Sequence, residues 1–211
     1  MLPIMNEKTL WYVADPMCSW CWGFSPIIER IRQEYGNGLR MELLLGGLRA
    51  GTKTPMPPQQ REEILHHWHA VQRATGQPFS FEGAIPEGFI YDTEPANRAV
   101  VAASRISPDM LFPFFKTIQF AFYVNQQDVT RQEVLERLAI VAGLDARLFS
   151  QVFESEAVKE STLAHFRQAR QWGVHGFPTV IGQKGENYVV LARSYCSFED
   201  FRPKLDSWLE N

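Results

Sequence analysis

Apolar positions along this chain alternate between strand and helix rhythms. Thr9 to Ala14 (TLWYVA) is a short, β-rich apolar run broken by Asp15-Pro16, which predicts a buried strand. From Cys21 to about Tyr35, Phe24, Ile27, Ile28 and Ile31 recur at helical spacing, and Gly36 and Gly38 close the segment. Arg40 to Gly47 (RMELLLGG) predicts a second strand, buried on both faces. A strand, a helix and a strand in this order predict a βαβ unit with a parallel pair.

Pro55, Pro57 and Pro58 end that unit, and the rhythm becomes helical. Residues about 59–75 place Ile64, Leu65, Trp68 and Val71 on one face. Thr93 is expected to cap a helix holding Ala99, Val100 and Ala103. Ser107-Pro108 supplies an N-cap and a first-turn proline for a Phe-rich helix, which Pro113 is expected to kink or delay. Thr130-Arg-Gln-Glu133 reads as a capping box, Gly143 as a helix stop and Asp145 as the cap of a short helix. A last helix, about 156–172, carries Leu163, Phe166, Ala169 and Trp172.

After Gly173 the strand pattern resumes in Thr179–Gly182 and Tyr188–Ala192, an antiparallel hairpin, followed by a closing helix over Ser197–Leu209 that Pro203 weakens. The whole pattern is that of an α/β domain made of residues 1–54 and 173–211, with 55–172 an all-helical insertion.

Composition narrows the function. The chain has 211 residues, 45% hydrophobic and 21% charged, as in an ordinary soluble globular protein able to bury a core without staples. A net charge of −3 disfavours nucleic acid and anionic membranes as partners. No run approaches the roughly 18 apolar residues of a membrane span. The segment MLPIMNEKTLWYVADP lacks the order of an export signal, so a cytoplasmic location is expected. Three cysteines, Cys18, Cys21 and Cys196, do not suit a disulfide scaffold. Two of them at Cys-x-x-Cys spacing point to redox chemistry or a metal.

Cys18-Ser19-Trp20-Cys21 falls where a strand turns into a helix. Thiol–disulfide exchange needs a thiolate, and a helix N-terminus offers unpaired N–H donors and a positive dipole end. Cys18 is therefore expected to be exposed and to attack. Cys21, one turn further in, is expected to be more covered and to resolve the mixed disulfide. Zinc would need about four ligands. There is no second Cys-x-x-Cys, only Cys196 and the distant cluster His66, His67 and His69, so no metal is expected. Of the flanking tryptophans, Trp20 suits an apolar rim for a peptide and Trp22 suits packing.

Asp15-Pro-Met-Cys18-Ser-Trp-Cys21-Trp-Gly-Phe, after an apolar strand, closely resembles the DsbA-like branch of thioredoxin-fold proteins. It is especially similar to cytoplasmic, FrnE-like protein disulfide isomerases. Pro26, eight residues after Cys18, resembles the kinking proline of the first helix. Gly173-Val-His-Gly-Phe-Pro178-Thr-Val resembles the loop whose proline is cis and faces the cysteine pair.

The resemblance implies a thioredoxin-like fold with a DsbA-type helical insertion. It implies disulfide exchange in cysteine-containing proteins or peptides, no bound cofactor beyond the dithiol, and exchange with glutathione. It makes Phe177 and a cis Pro178 supports of the site. Proline lacks an N–H and leaves the preceding backbone free to pair with an extended substrate. His175 would either stabilise the Cys18 thiolate or be an ordinary loop histidine. Many relatives carry a buried acid on the first strand; here Tyr12 stands six residues before Cys18, and Asp15 at the strand end is either a substitute or a turn residue. Kappa-class glutathione transferases and hydroxychromene-carboxylate isomerases look similar but place serine at one active cysteine, and the intact pair argues against them. A zinc-binding interaction module is the non-enzymatic alternative.

Overall fold

The computed structural model describes residues 8–211. Residues 1–7, on which part of the export-signal reading and the start of the 1–54 segment rest, lie outside the described residues. Among the described residues, β1 (Lys8–Ala14), β2 (Arg40–Leu45), β3 (Thr179–Lys184) and β4 (Asn187–Ala192) form one sheet in the order β2-β1-β3-β4. β1 and β2 run parallel from Thr9↔Arg40 to Ala14↔Leu45; β3 is antiparallel to both β1 and β4. β2 is shorter and less buried than its sequence suggests. It lies at the sheet edge, so only Leu43–Leu45 are buried while Arg40 is exposed.

Helix α1 (Ser19–Tyr35) starts two residues before its apolar rhythm does. Its buried face, with Phe24, Ile28 and Ile31, packs with Leu10 and Tyr12 of β1. Pro26 inside the helix leaves the Trp22 carbonyl without its usual N–H partner. Ser25 Oγ (2.9 Å) and Gln77 Nε2 (2.8 Å) donate to it instead. Helix α1 therefore keeps its length across Pro26, and this stretch is tied through Gln77 to the chain after α2 (Pro58–Thr75).

The helices α3 (Glu94–Ile106), α4 (Leu111–Tyr123), α5 (Gln132–Val141), α6 (Ala146–Glu154) and α7 (Glu156–Gln171) follow before the sheet resumes, and α8 (Phe198–Glu210) closes the chain. α7 covers the sheet face of Val13, Leu44 and Ile181, while Phe201 and Leu205 of α8 join the core on the α1 side. The result is a mixed α/β sheet with helices on both faces and a helical block between β2 and β3, a thioredoxin-like fold of DsbA type.

Several helix ends differ from their sequence signals. Thr93 holds the cap position of α3, as expected, but its side chain makes no cap bond: Asp92 Oδ1 accepts from Glu94 N (3.0 Å), and Thr93 Oγ1 accepts from Arg49 N (3.1 Å). The Thr130–Glu133 capping box is not formed. Arg131 holds the cap position, Thr130 bonds Asp128, and Glu133 pairs with Arg131. Ser107-Pro108 opens a short 3-10 turn over Pro108–Met110, and α4 starts after it. Pro113 sits in the first turn of α4, where its missing N–H breaks no helical bond. Leu163 faces solvent, since the buried side of α7 is Val158, Thr162, Phe166 and Ala169. The Asp145 cap forms, accepting from Leu148 N at 2.7 Å.

Candidate active site

β1 delivers the chain to Asp15, and a tight turn passes it into α1. The Asp15 carbonyl accepts from Cys18 N (3.1 Å), and the Asp15 carboxylate accepts from Met17 N (2.8 Å). The Tyr91 hydroxyl donates to the Met17 carbonyl at 2.5 Å, so an aromatic residue from the helical block braces the same turn. Cys18 is the cap residue of α1, with extended backbone, and the first turn of the helix carries no acid to neutralise its positive end.

Cys18 and Cys21 are both free thiols. Cys21 is fully buried, one helical turn along α1 from Cys18. Burial, first of all, pushes the Cys21 thiol well above its ordinary range; the neighbouring Cys18 sulfur and the Asp15 carboxylate push the same way, against a backbone hydrogen bond at Asp15. Cys21 is thus a neutral thiol. Cys18 is not openly exposed as expected. It retains 6% of its surface, packed into the core, and its Sγ donates to the Phe177 carbonyl at 3.6 Å.

That carbonyl belongs to a cis Phe177–Pro178 peptide bond, in the loop that leads into β3. Thr179 Oγ1 closes the loop by donating to the Gly176 carbonyl (2.8 Å). The Phe177 ring lies against Gly46 at the end of β2: a Cβ there would stand 2.1 Å from the ring tip. Only a residue without a side chain admits the ring so close to the backbone. Gly47 (φ +64°) similarly faces the Phe166 ring.

Asp15 is no ordinary turn residue. It is fully buried, and besides Met17 N it accepts from Leu48 N (2.7 Å) and Asn97 Nδ2 (2.9 Å). Burial raises its carboxyl above the usual range, and those hydrogen bonds pull it back down. Asp15 therefore ties together the turn, the loop after β2 and α3. Tyr12 directs its hydroxyl to the Cys21 carbonyl (3.3 Å); burial pushes that phenol well up, so it stays a neutral donor.

Ser19 lies in the first turn of α1. Trp20 is half-buried and packs on Tyr195, with ring centroids 5.6 Å apart, while Trp22 is buried against Tyr123. His175 is exposed on the proline loop. Cys196 is half-buried, and burial raises its thiol. His66 and His67 are exposed on α2 and His69 stacks on Phe81; among the described residues no group of acids, histidines and cysteines has metal-site geometry. The structure adds Gly46 and Tyr91 to the site. The Gly46-Gly47 pair after a strand was a signal of close backbone approach, whereas nothing local marks Tyr91.

The DSBA-like thioredoxin domain family matches residues 9–198. A protein from Nitrosomonas europaea, provisionally named a protein disulfide isomerase, is 50% identical with a TM-score of 0.92, covering 97% of this chain and 98% of that one. The cytosolic disulfide reductase DsbM from Pseudomonas aeruginosa is 28% identical with a TM-score of 0.80, covering 96% of this chain and 98% of that one; a structure of it also exists with GSH. A ClpXP adapter protein, SpxH, from Halalkalibacterium halodurans is 26% identical over 79% of this chain, which spans 56% of that protein's length. The chain belongs to the DSBA-like thioredoxin domain family.

Proposed function

We propose that this chain is a cytoplasmic thiol–disulfide reductase or isomerase acting on cysteine-containing proteins or peptides through Cys18 and Cys21. The observation that carries the reading is the placement of the two sulfurs. Cys18 caps α1 beneath the Phe177 carbonyl of the cis-proline loop, and the buried, neutral Cys21 thiol lies one turn further along the same helix.

In the reducing direction the Cys18 thiolate attacks one sulfur of a substrate disulfide, forms a mixed disulfide and releases the other sulfur as a thiolate. Cys21 then attacks Cys18 Sγ, its proton passing to the departing substrate sulfur. The Cys18–Cys21 disulfide is left oxidised by two electrons and the substrate is fully reduced. Two molecules of glutathione return the pair to the dithiol and leave as glutathione disulfide. The bound glutathione of the DsbM structure supports this partner. A reducing cytoplasm keeps the pair reduced at rest, which favours reductase and isomerase over net oxidase.

The supporting residues divide by contact. Phe177 and Pro178 shape the shelf on which a substrate strand rests, Ser19 and Trp20 border the attacking sulfur, and His175 stands at the loop's exposed edge. Asp15 acts as a positioning residue, since its oxygens already accept from three N–H donors. No metal takes part in this scheme. Insulin reduction tests it: Cys18→Ser abolishes turnover and Cys196→Ser keeps most of it, while the reverse ranking overturns the assignment.

A further inference from the structure

A cleft of about 490 Å³ opens between α1 and α4, and none of the cysteines or proline-loop residues lines it. Its size is that of a small-molecule site. Three features make it more than a gap in the packing. Its wall is apolar and aromatic: Ile28, Phe112, Phe115 and Leu138 line it, and Phe120 stands 42% exposed at its mouth. Gln119, fully buried in its lining, has neither Nε2 nor Oε1 hydrogen-bonded. Such an amide is out of place in an apolar wall unless something brings it a partner.

The third feature is charge. Arg32 lies at one end with its guanidinium over the Phe112 ring (4.6 Å), and among the described residues no acid stands within ion-pair distance of it. The nearby Glu29 is taken by Lys116. The pairings Glu29–Lys116 and Arg32–Phe112 show α1 and α4 running antiparallel, so the Ser25–Gln119 end and the Arg32 end lie seven α1 residues apart. At the helical rise that is about 10 Å.

We propose that this cleft is a second binding site, separate from the dithiol, for a small amphiphilic anion. The ligand has a flat apolar body, a carboxylate or sulfonate for Arg32, and an N–H, hydroxyl or carbonyl group at the far end for Gln119. A probe with this layout is 2-(p-toluidinyl)naphthalene-6-sulfonate, and N-phenyl-2-naphthylamine is its neutral counterpart. Fluorescence titration of the whole chain gives one saturable site for the sulfonate. Arg32→Gln weakens the sulfonate about tenfold, the scale of one charge-assisted contact, and leaves the neutral probe within about twofold. Gln119→Leu and Phe120→Glu weaken both probes. Amide NMR shifts caused by the sulfonate map to the α1–α4 lining, and near-UV circular dichroism is unchanged, so binding is to the folded chain. Absence of a saturable site, equal loss of both probes in Arg32→Gln, or shifts lying elsewhere overturn the proposal. Arg32 is exposed, so its variant remains a test if Gln119→Leu fails to fold.

Discussion

Two loops reach the Cys18–Cys21 turn, and they are held by different physics. The loop after β2 is pinned by polar contacts: Asp15 accepts from Leu48 N, Thr93 from Arg49 N and Asp92 from Gly51 N. The loop before β3 is held by shape, with the Phe177 ring laid on Gly46 and its carbonyl over Cys18. A polar pin is set by donor and acceptor identity and tolerates little change of chemistry at constant volume. A shape pin tolerates changes of charge and fails when volume is added. The Phe177 carbonyl is placed by the second kind and the helix start by the first.

Substitutions at each pin separate the two. The largest effect is expected from Asp15→Asn, which keeps the volume but turns one acceptor into an NH₂ facing the Leu48 and Asn97 donors. We expect it to lose about 3 kcal/mol in urea unfolding; a loss below about 0.5 kcal/mol would show that the carboxylate does not hold the turn. Gly46→Ala comes next. The Phe177 ring can swing away, so stability falls by only about 1–2 kcal/mol, while insulin reduction drops about tenfold. Shortening the ring in the double variant Gly46→Ala/Phe177→Ala restores the lost stability without restoring activity. Equal activity in Gly46→Ala and the parent would remove the shape pin from the account.

The smallest effect concerns the base of the sheet edge. His165 of α7 accepts from Leu45 N through Nδ1 (3.2 Å), one residue before Gly46. Burial lowers its basicity below the ordinary 6.5, with Glu42 opposing weakly. The unfolded chain therefore binds this proton more readily, so the stabilising bond is present above pH 6.5 and is lost as pH falls below it. His165→Gln keeps an acceptor that does not titrate. Its stability is expected to fall less than the parent's between about pH 7 and pH 5, and parallel profiles would contradict this.

The same division explains what the sequence revealed. The strand, the cysteine pair, Pro26 and the proline loop were legible because each is a local pattern, and so was the long helical stretch with its Asp145 cap. Helix ends at Thr93 and Thr130 misled because those hydroxyls found partners outside their own helix start, Arg49 N and Asp128. The bond from Cys18 Sγ and the knot at Asp15 depend on residues far along the chain, Phe177 and Asn97, which no local window contains. Tyr12 could be placed on the strand, yet its bond to the Cys21 carbonyl exists only once α1 folds over β1.

In the proposed chemistry Cys18 attacks and Cys21 resolves. The direct measurement equilibrates the chain in graded glutathione buffers, traps the thiols and counts them by mass, in the parent and in Cys21→Ser. The parent should show one reversible two-electron couple confined to Cys18 and Cys21, and Cys21→Ser should accumulate a glutathione adduct on Cys18. A parent without that couple, or an adduct on Cys196 in place of Cys18, would contradict it.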